Sequence, residues 1–198
     1  MLWKRIAGAA LLAALAFVHP LAADAAVSKT PKGSIYLFRG LANIFSLGLD
    51  TLHDELAKRG VQSTVLNYNG WMMVAQDIED RYRSDKNALP VIVMGHSFGA
   101  DVTLELAAEL KKHGIPVALI VEFDAVTEKV VPSNVRHVIN FYEPEGIGLK
   151  LVGEPGFRGK IDIVDLSRSD PDINHLNIEK TEKLHARAIS AVLAALGR

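Results

Sequence analysis

A short apolar run, Val91–Met94, leads straight into Gly95-His96-Ser97-Phe98-Gly99, and an amphipathic pattern, Phe98–Lys112, follows at once. A buried strand joined to a helix by so few residues leaves room only for a tight turn. A side chain at either flanking glycine would crowd that turn, and Ala100 continues the small residues. The turn puts Ser97 on strained backbone with its hydroxyl at the C-terminal edge of a sheet. It also leaves the first amide N–H groups of the helix without partners inside the helix. The pattern is G-x-S-x-G, the nucleophile elbow. The bare pattern also arises by chance in glycine-flanked turns; the strand before it and the helix after it carry the specificity.

The same alternation runs along the chain. Ser34–Phe38 reads as a strand, Leu49–Arg59 as a helix closed by Gly60, and Val61–Tyr68 as a strand broken at Asn69-Gly70. Trp71–Arg83 reads as a helix, and Val102, Leu106 and Leu110 give Phe98–Lys112 one apolar face. Val117–Phe123, Val135–Tyr142 and Ile161–Leu166 follow as strands, and Ile178–Leu196 as a last helix. Alternating strands and helices predict an α/β fold: a doubly wound, mostly parallel sheet in a three-layer sandwich. Continuous apolar strands agree with helices on both faces. The irregular stretch Glu143–Lys160, with five glycines, is either a loop over a site or a plain surface connection.

Charge and composition narrow the function classes. There are 22 Lys and Arg against 23 Asp and Glu, so no electrostatic footprint for nucleic acid. No cysteine is present, which excludes disulfides, thiolate metal sites and cysteine nucleophiles. Residues 1–25 combine Lys4-Arg5, an uncharged run from Ile6 to Val18 and Ala23-Asp24-Ala25, the pattern of a cleavable secretory signal peptide. The run is short for a membrane span; an uncleaved anchor is the alternative. The expectation is an exported chain, periplasmic or secreted, with residues 26–198 as one domain and no membrane span after cleavage. No H-E-x-x-H, Walker loop or complete dinucleotide fingerprint occurs, so neither a metal nor an organic cofactor is expected.

Around Ser97 the chain resembles the α/β-hydrolase superfamily, in particular its small, cap-poor serine esterases and lipases. The resemblance spans roughly Ser34 to the end, with the elbow as its one specific motif. It implies a triad in the chain order serine, acid, histidine. Among His113, His137, His175 and His185, only His175 lies in a loop, after the last strand and before the last helix, where the family keeps its catalytic base. A surface-loop or capping histidine is the other reading. For the acid, Asp124 ends the strand Val117–Phe123 and would point into the crevice at the sheet's C-terminal edge. Glu143, one strand later and at the family's commoner position, is the alternative. Asp165, Asp170 and Asp172 read as turn or surface carboxylates, and Asp101 and Glu105 as solvated residues of the helix.

The resemblance further implies an oxyanion hole of two backbone donors. Phe98 N–H is the first. The second is expected from the loop Phe38-Arg39-Gly40-Leu41, at Leu41 N–H, with Gly40 letting the backbone approach. The His-Gly pair or triple glycine of many relatives is missing, and Arg39-Gly40 stands there. Arg39 would bind an anionic group of the substrate or pair with a nearby carboxylate. Ile44-Phe45-Ser46-Leu47 and Asn69-Gly70-Trp71-Met72-Met73 are apolar for loops, as acyl-groove walls or as ordinary helix-start packing. No stretch between strands is long enough for an inserted cap. The expected substrate is a small-molecule or lipid-like acyl ester or thioester. An acyltransferase using the same triad, or a non-catalytic binding module on the same scaffold, are the alternatives.

Overall fold

The computed structural model describes residues 33–41, 46–85, 88–127, 130–143, 151–167 and 169–198. The signal-peptide expectation, Ile44-Phe45 and residues 144–150 lie outside them. Among the described residues, eight strands and four α-helices follow in chain order: β1 (Ser34–Arg39), α1 (Gly48–Ala57), β2 (Thr64–Asn67), α2 (Trp71–Ser84), β3 (Val91–His96), α3 (Phe98–Lys112), β4 (Val117–Phe123), β5 (Val130–Val131), β6 (His137–Tyr142), β7 (Val152–Gly153), β8 (Lys160–Asp165) and α4 (Glu182–Ala195).

Six strands form one sheet in the order β2-β1-β3-β4-β6-β8, and every pairing is parallel. Alternate side chains go to opposite faces, as strand geometry requires. Ile35 and Leu37 of β1 join Ile92, Met94, Val121 and the apolar stripes of α1 (Leu49, Leu52, Leu56) and α4 (Leu184, Ala188, Val192). Tyr36 and Phe38 join Val91, Val93, Ile120 and the stripes of α2 (Val74, Ile78) and α3 (Leu106, Leu110). The result is a three-layer α/β sandwich. The central strands are buried on both faces; β2 and β8, at the edges, are half exposed. Among the described residues, no helix is long and apolar enough to cross a membrane.

The chain steps from β1 outward to β2, then returns to the other side of β1 for β3. The crevice beyond the C-terminal ends of β1 and β3 is therefore the topological switch point, the place where open α/β sheets bind ligands. Ser97 follows β3 and Gly40 follows β1, so both stand there.

Two elements depart from the sequence reading. The last helix is not continuous: a 3-10 turn at Ile178–Lys180 stops at Thr181, whose backbone is extended (φ −79°, ψ 112°), and α4 begins afterwards. The pair β5–β7, Val130 against Val152 and Val131 against Gly153, was not expected. It ties down part of the glycine-rich stretch. Glu154 accepts the Ser133 amide and pairs with Lys111 at the C-terminal end of α3, and the Lys160 amide bonds the Arg136 carbonyl at the start of β6. Residues 151–160 therefore lie at the sheet edge opposite Ser97 and do not cover it.

Candidate active site

The elbow explains its own glycines. A Cβ on Gly95 would overlap the Gly99 carbonyl, and one on Gly99 would overlap the Phe38 carbonyl at the end of β1. With these two contacts open, Ser97 turns at φ 58°, ψ −128°, a backbone region that L-residues avoid. Its amide bonds the Phe123 carbonyl at 3.1 Å, and its carbonyl accepts the amides of Ala100 and Asp101, opening α3. Phe98 N–H is the first amide of α3 and has no carbonyl behind it in the helix.

Asp124 follows β4 and is the other non-glycine residue at positive φ among the described residues (52°). Its amide bonds the Phe141 carbonyl of β6 at 2.8 Å, so the neighbouring strand holds the turn. The side chain is fully buried. One oxygen accepts the Glu143 amide at 3.3 Å, and the other meets His175 Nδ1 at 2.6 Å. A carboxylate only accepts, so Nδ1 carries the hydrogen. The Nε2 lone pair then faces Ser97 Oγ at 3.1 Å. Serine, histidine and acid, separated by 51 and 78 positions along the chain, thus form one hydrogen-bonded line. Glu143, the alternative acid, contributes its backbone to Asp124.

His175 sits in a loop braced by its own side chains. Asn174 Oδ1 accepts the Leu176 amide at 2.9 Å, Asn177 Oδ1 accepts the Asn174 amide at 2.8 Å, and Asn177 Nδ2 bonds the Asp172 carbonyl at 3.0 Å. Ile173 is buried beneath, and Asp170 pairs with Lys183 of α4. The other three candidate histidines stand elsewhere: His113 pairs with Glu79 at the end of α3, His137 with Asp162 on β6–β8, and His185 is buried on α4 against the Glu179 carbonyl.

A cavity of about 480 Å³ opens beside Ser97, walled by Leu41, Phe98, Val126 and Leu176 with Ser46 and His96 at its base. Leu41 and Leu176 are well exposed at its rim. Gly40 passes so close that a Cβ there would stand 2.9 Å from Ser97 Cβ; its own amide is bonded to Ser46 Oγ at 2.9 Å. Leu41, the next residue, lines the cavity.

One expectation changes, that for Asp101, and two open alternatives close, those for Arg39 and for Met72-Met73. Arg39 is not free for a substrate anion: its guanidinium pairs with Asp50 of α1, which holds that carboxyl below its ordinary range. Asp101 is not solvated: it is buried, and its Oδ1 accepts the amides of Val126 and Thr127 at 3.0 and 3.1 Å. Met72 and Met73 do not wall the Ser97 cavity; Met72 lines a separate cleft between α2 and α3, and Met73 is exposed. Tyr68, Asn69 and Trp71 line a second cavity of about 430 Å³ that shares Phe98 and Thr127 with the first.

Sequence reasoning overlooked His96. It is 1 % exposed, with Nδ1 2.8 Å from Ser46 Oγ and Nε2 2.9 Å from the His175 carbonyl. Burial above all, together with the nearby His175, pushes its pKa down to about 4. The usable signal was its place as the last residue of a fully buried strand, where a polar side chain must find partners.

No protein-family model and no curated protein matches the chain. Among solved structures it is similar to an alpha/beta superfamily protein from Xanthomonas campestris pv. campestris, at 12% identity over 82% of this chain and 99% of that one, with a TM-score of 0.45. It is also similar to the NocB thioesterase domain in covalent complex with a fluorophosphonate nocardicin G analogue, at 16% identity over 85% and 96% of the two chains, with a TM-score of 0.48. Human thioesterase 2 matches at 12% identity over 81% and 96%, with a TM-score of 0.49. Its six parallel strands in the order β2-β1-β3-β4-β6-β8, with helices on both faces and the elbow at the end of β3, make the chain α/β-hydrolase-like in fold.

Proposed function

We propose that this protein is an exported serine hydrolase that cleaves carboxylic esters or thioesters through an acyl-enzyme. The observation that carries this reading is the line Ser97 Oγ, His175 Nε2 and Nδ1, Asp124, at 3.1 and 2.6 Å. Two of its three members stand on strained backbone that the packing holds.

Serine is a weak nucleophile until a base takes its proton. Ser97 Oγ attacks the carbonyl carbon while His175 Nε2 accepts the hydroxyl proton. The imidazolium is stabilised by the buried Asp124 carboxylate. The carbonyl oxygen becomes an oxyanion facing Phe98 N–H and Leu41 N–H. His175 then gives its proton to the departing alcohol or thiol, and water repeats the sequence to release the acid and restore Ser97. The apolar walls Leu41, Phe98, Val126 and Leu176 suit a small or lipid-like acyl group in an open site. Residues 1–25 act as the export signal and 26–198 as the single catalytic domain.

The test is covalent labelling of residues 26–198 with a fluorophosphonate, read by intact mass. One adduct on wild type is expected, none on Ser97→Ala, and labelling slowed by about 10³–10⁴-fold on His175→Ala or Asp124→Asn. No adduct on folded wild type overturns the hydrolase reading.

A further inference from the structure

The base of the cavity holds a hydrogen-bonded chain that the proposed reaction does not use. The His175 carbonyl only accepts, so His96 Nε2, 2.9 Å away, must carry the hydrogen. His96 Nδ1 is then the acceptor, and the Ser46 hydroxyl, at 2.8 Å, donates to it. Ser46 Oγ in turn accepts the Gly40 amide at 2.9 Å. The chain Gly40 N–H, Ser46 O–H, His96 N–H, His175 carbonyl runs in one direction, and each donor has one acceptor. It starts on the loop that offers the Leu41 amide and ends on the loop that carries the catalytic base. Ser97 lies between these loops.

We propose that Ser46 and His96 are positioning residues that lock the oxyanion loop and the His175 loop at a fixed spacing across Ser97. The inference rests on the hydrolase reading for its consequence, not for its geometry. Both side chains are buried, and the His96 and His175 rings lie 4.9 Å apart, so neither loop shifts without breaking a bond of this chain. His96 stays neutral at physiological pH, so the single-proton pattern that the chain needs is kept. A misplacement of about 1 Å in such a site costs about 100-fold in rate.

The experiment compares wild type, His96→Leu, His96→Gln, Ser46→Ala and the double variant Ser46→Ala/His96→Leu. His96→Leu keeps most of the volume and donates nothing. His96→Gln places an amide N–H where Nε2 was. On a short-chain thioester, kcat and the fluorophosphonate rate should fall about 100-fold in His96→Leu, with KM within about threefold, and His96→Gln should recover at least tenfold. Because the two residues act through one chain, the double variant should be no slower than His96→Leu. A folded His96→Leu within twofold of wild type overturns the proposal. So does a glutamine variant no better than leucine, which would mean that volume alone matters. If wild type neither labels nor turns over, the hydrolase reading fails, and imidazole ¹⁵N spectra decide the brace. His96 protonated at Nε2, with His175 signals displaced in Ser46→Ala, supports it; the opposite tautomer or unmoved His175 signals overturn it.

Discussion

Gly99 is the residue where the site has least room. An added Cβ would enter the carbonyl of Phe38, which is backbone and cannot swing aside. That closeness brings the start of α3 against the end of β1 and so sets Phe98 N–H near the Leu41 loop. Gly99→Ala should cost about 3 kcal/mol, the upper end of overpacking. Gly60→Ala, where a Cβ meets nothing but φ is +71°, should cost about 1 kcal/mol. Urea denaturation of both variants checks the contrast; equal losses would mean that α3 and β1 move apart at little cost and that the Phe38 contact does not set the room at Gly99. The glycines, Ser97, Asp124 and His175 were legible because each is defined by its place relative to a strand end. His96 and Asp101 were not. His96 sits at the unspecified position of G-x-S-x-G, and Asp101 has the pattern of any acidic residue in the first turn of a helix. What makes them matter is a partner far away in sequence.

Element boundaries followed the strength of local signals. Phe98–Lys112 and Val117–Phe123 match the sequence reading because Gly114 (φ +67°) separates a clear stripe from a continuous apolar run. β2 came out shorter than Val61–Tyr68 at both ends, mostly at its start, as an edge strand with a neighbour on one side only, while β8 kept its expected length and moved one residue towards the N-terminus. Thr181 was absorbed into the last helix because no glycine or proline marks it, and two-residue strands such as β5 and β7 are too short to show a period. Helix α3 does more than present the elbow. Through Asp101 it holds the segment after Asp124, whose Val126 wall lines the cavity. Asp101→Ala leaves two amides without their acceptor and should cost about 2 kcal/mol; Asp101→Asn keeps an accepting oxygen and should cost under about 1 kcal/mol. Hydrogen exchange at Val126 and Thr127 should quicken in the alanine variant alone. Unchanged protection there would show that other contacts hold this segment.

At the scale of the whole molecule, two buried groups oppose each other in pH. Glu179 is fully buried, facing Gly48 at the start of α1 with the Lys180 ammonium 3.5 Å away. Burial, the foremost cause, outweighs that cation and raises its pKa from 4.5 to about 7. Between those values the folded chain binds more protons than the unfolded chain. Stability from Glu179 is therefore full below about pH 4.5 and lost as pH rises to about 7. His96 works the other way. Its pKa falls from 6.5 to about 4, so its stabilisation is full above about 6.5 and lost as pH falls toward 4. The windows overlap, so the wild-type profile conceals both. Glu179→Gln separates them: the variant's stability relative to wild type should rise with pH from about 4.5 to 7 and stay level above. The full swing is on the order of 3 kcal/mol, from 1.36 kcal/mol per pKa unit. Urea titrations of both proteins at pH 5 and pH 8 measure it. A difference that does not change between the two pH values would mean that Glu179 ionises as an ordinary carboxylate and that burial beside α1 exacts no electrostatic cost. The His96 limb would then dominate, and wild-type stability would climb steadily from pH 4 to 6.5 without the opposing slope.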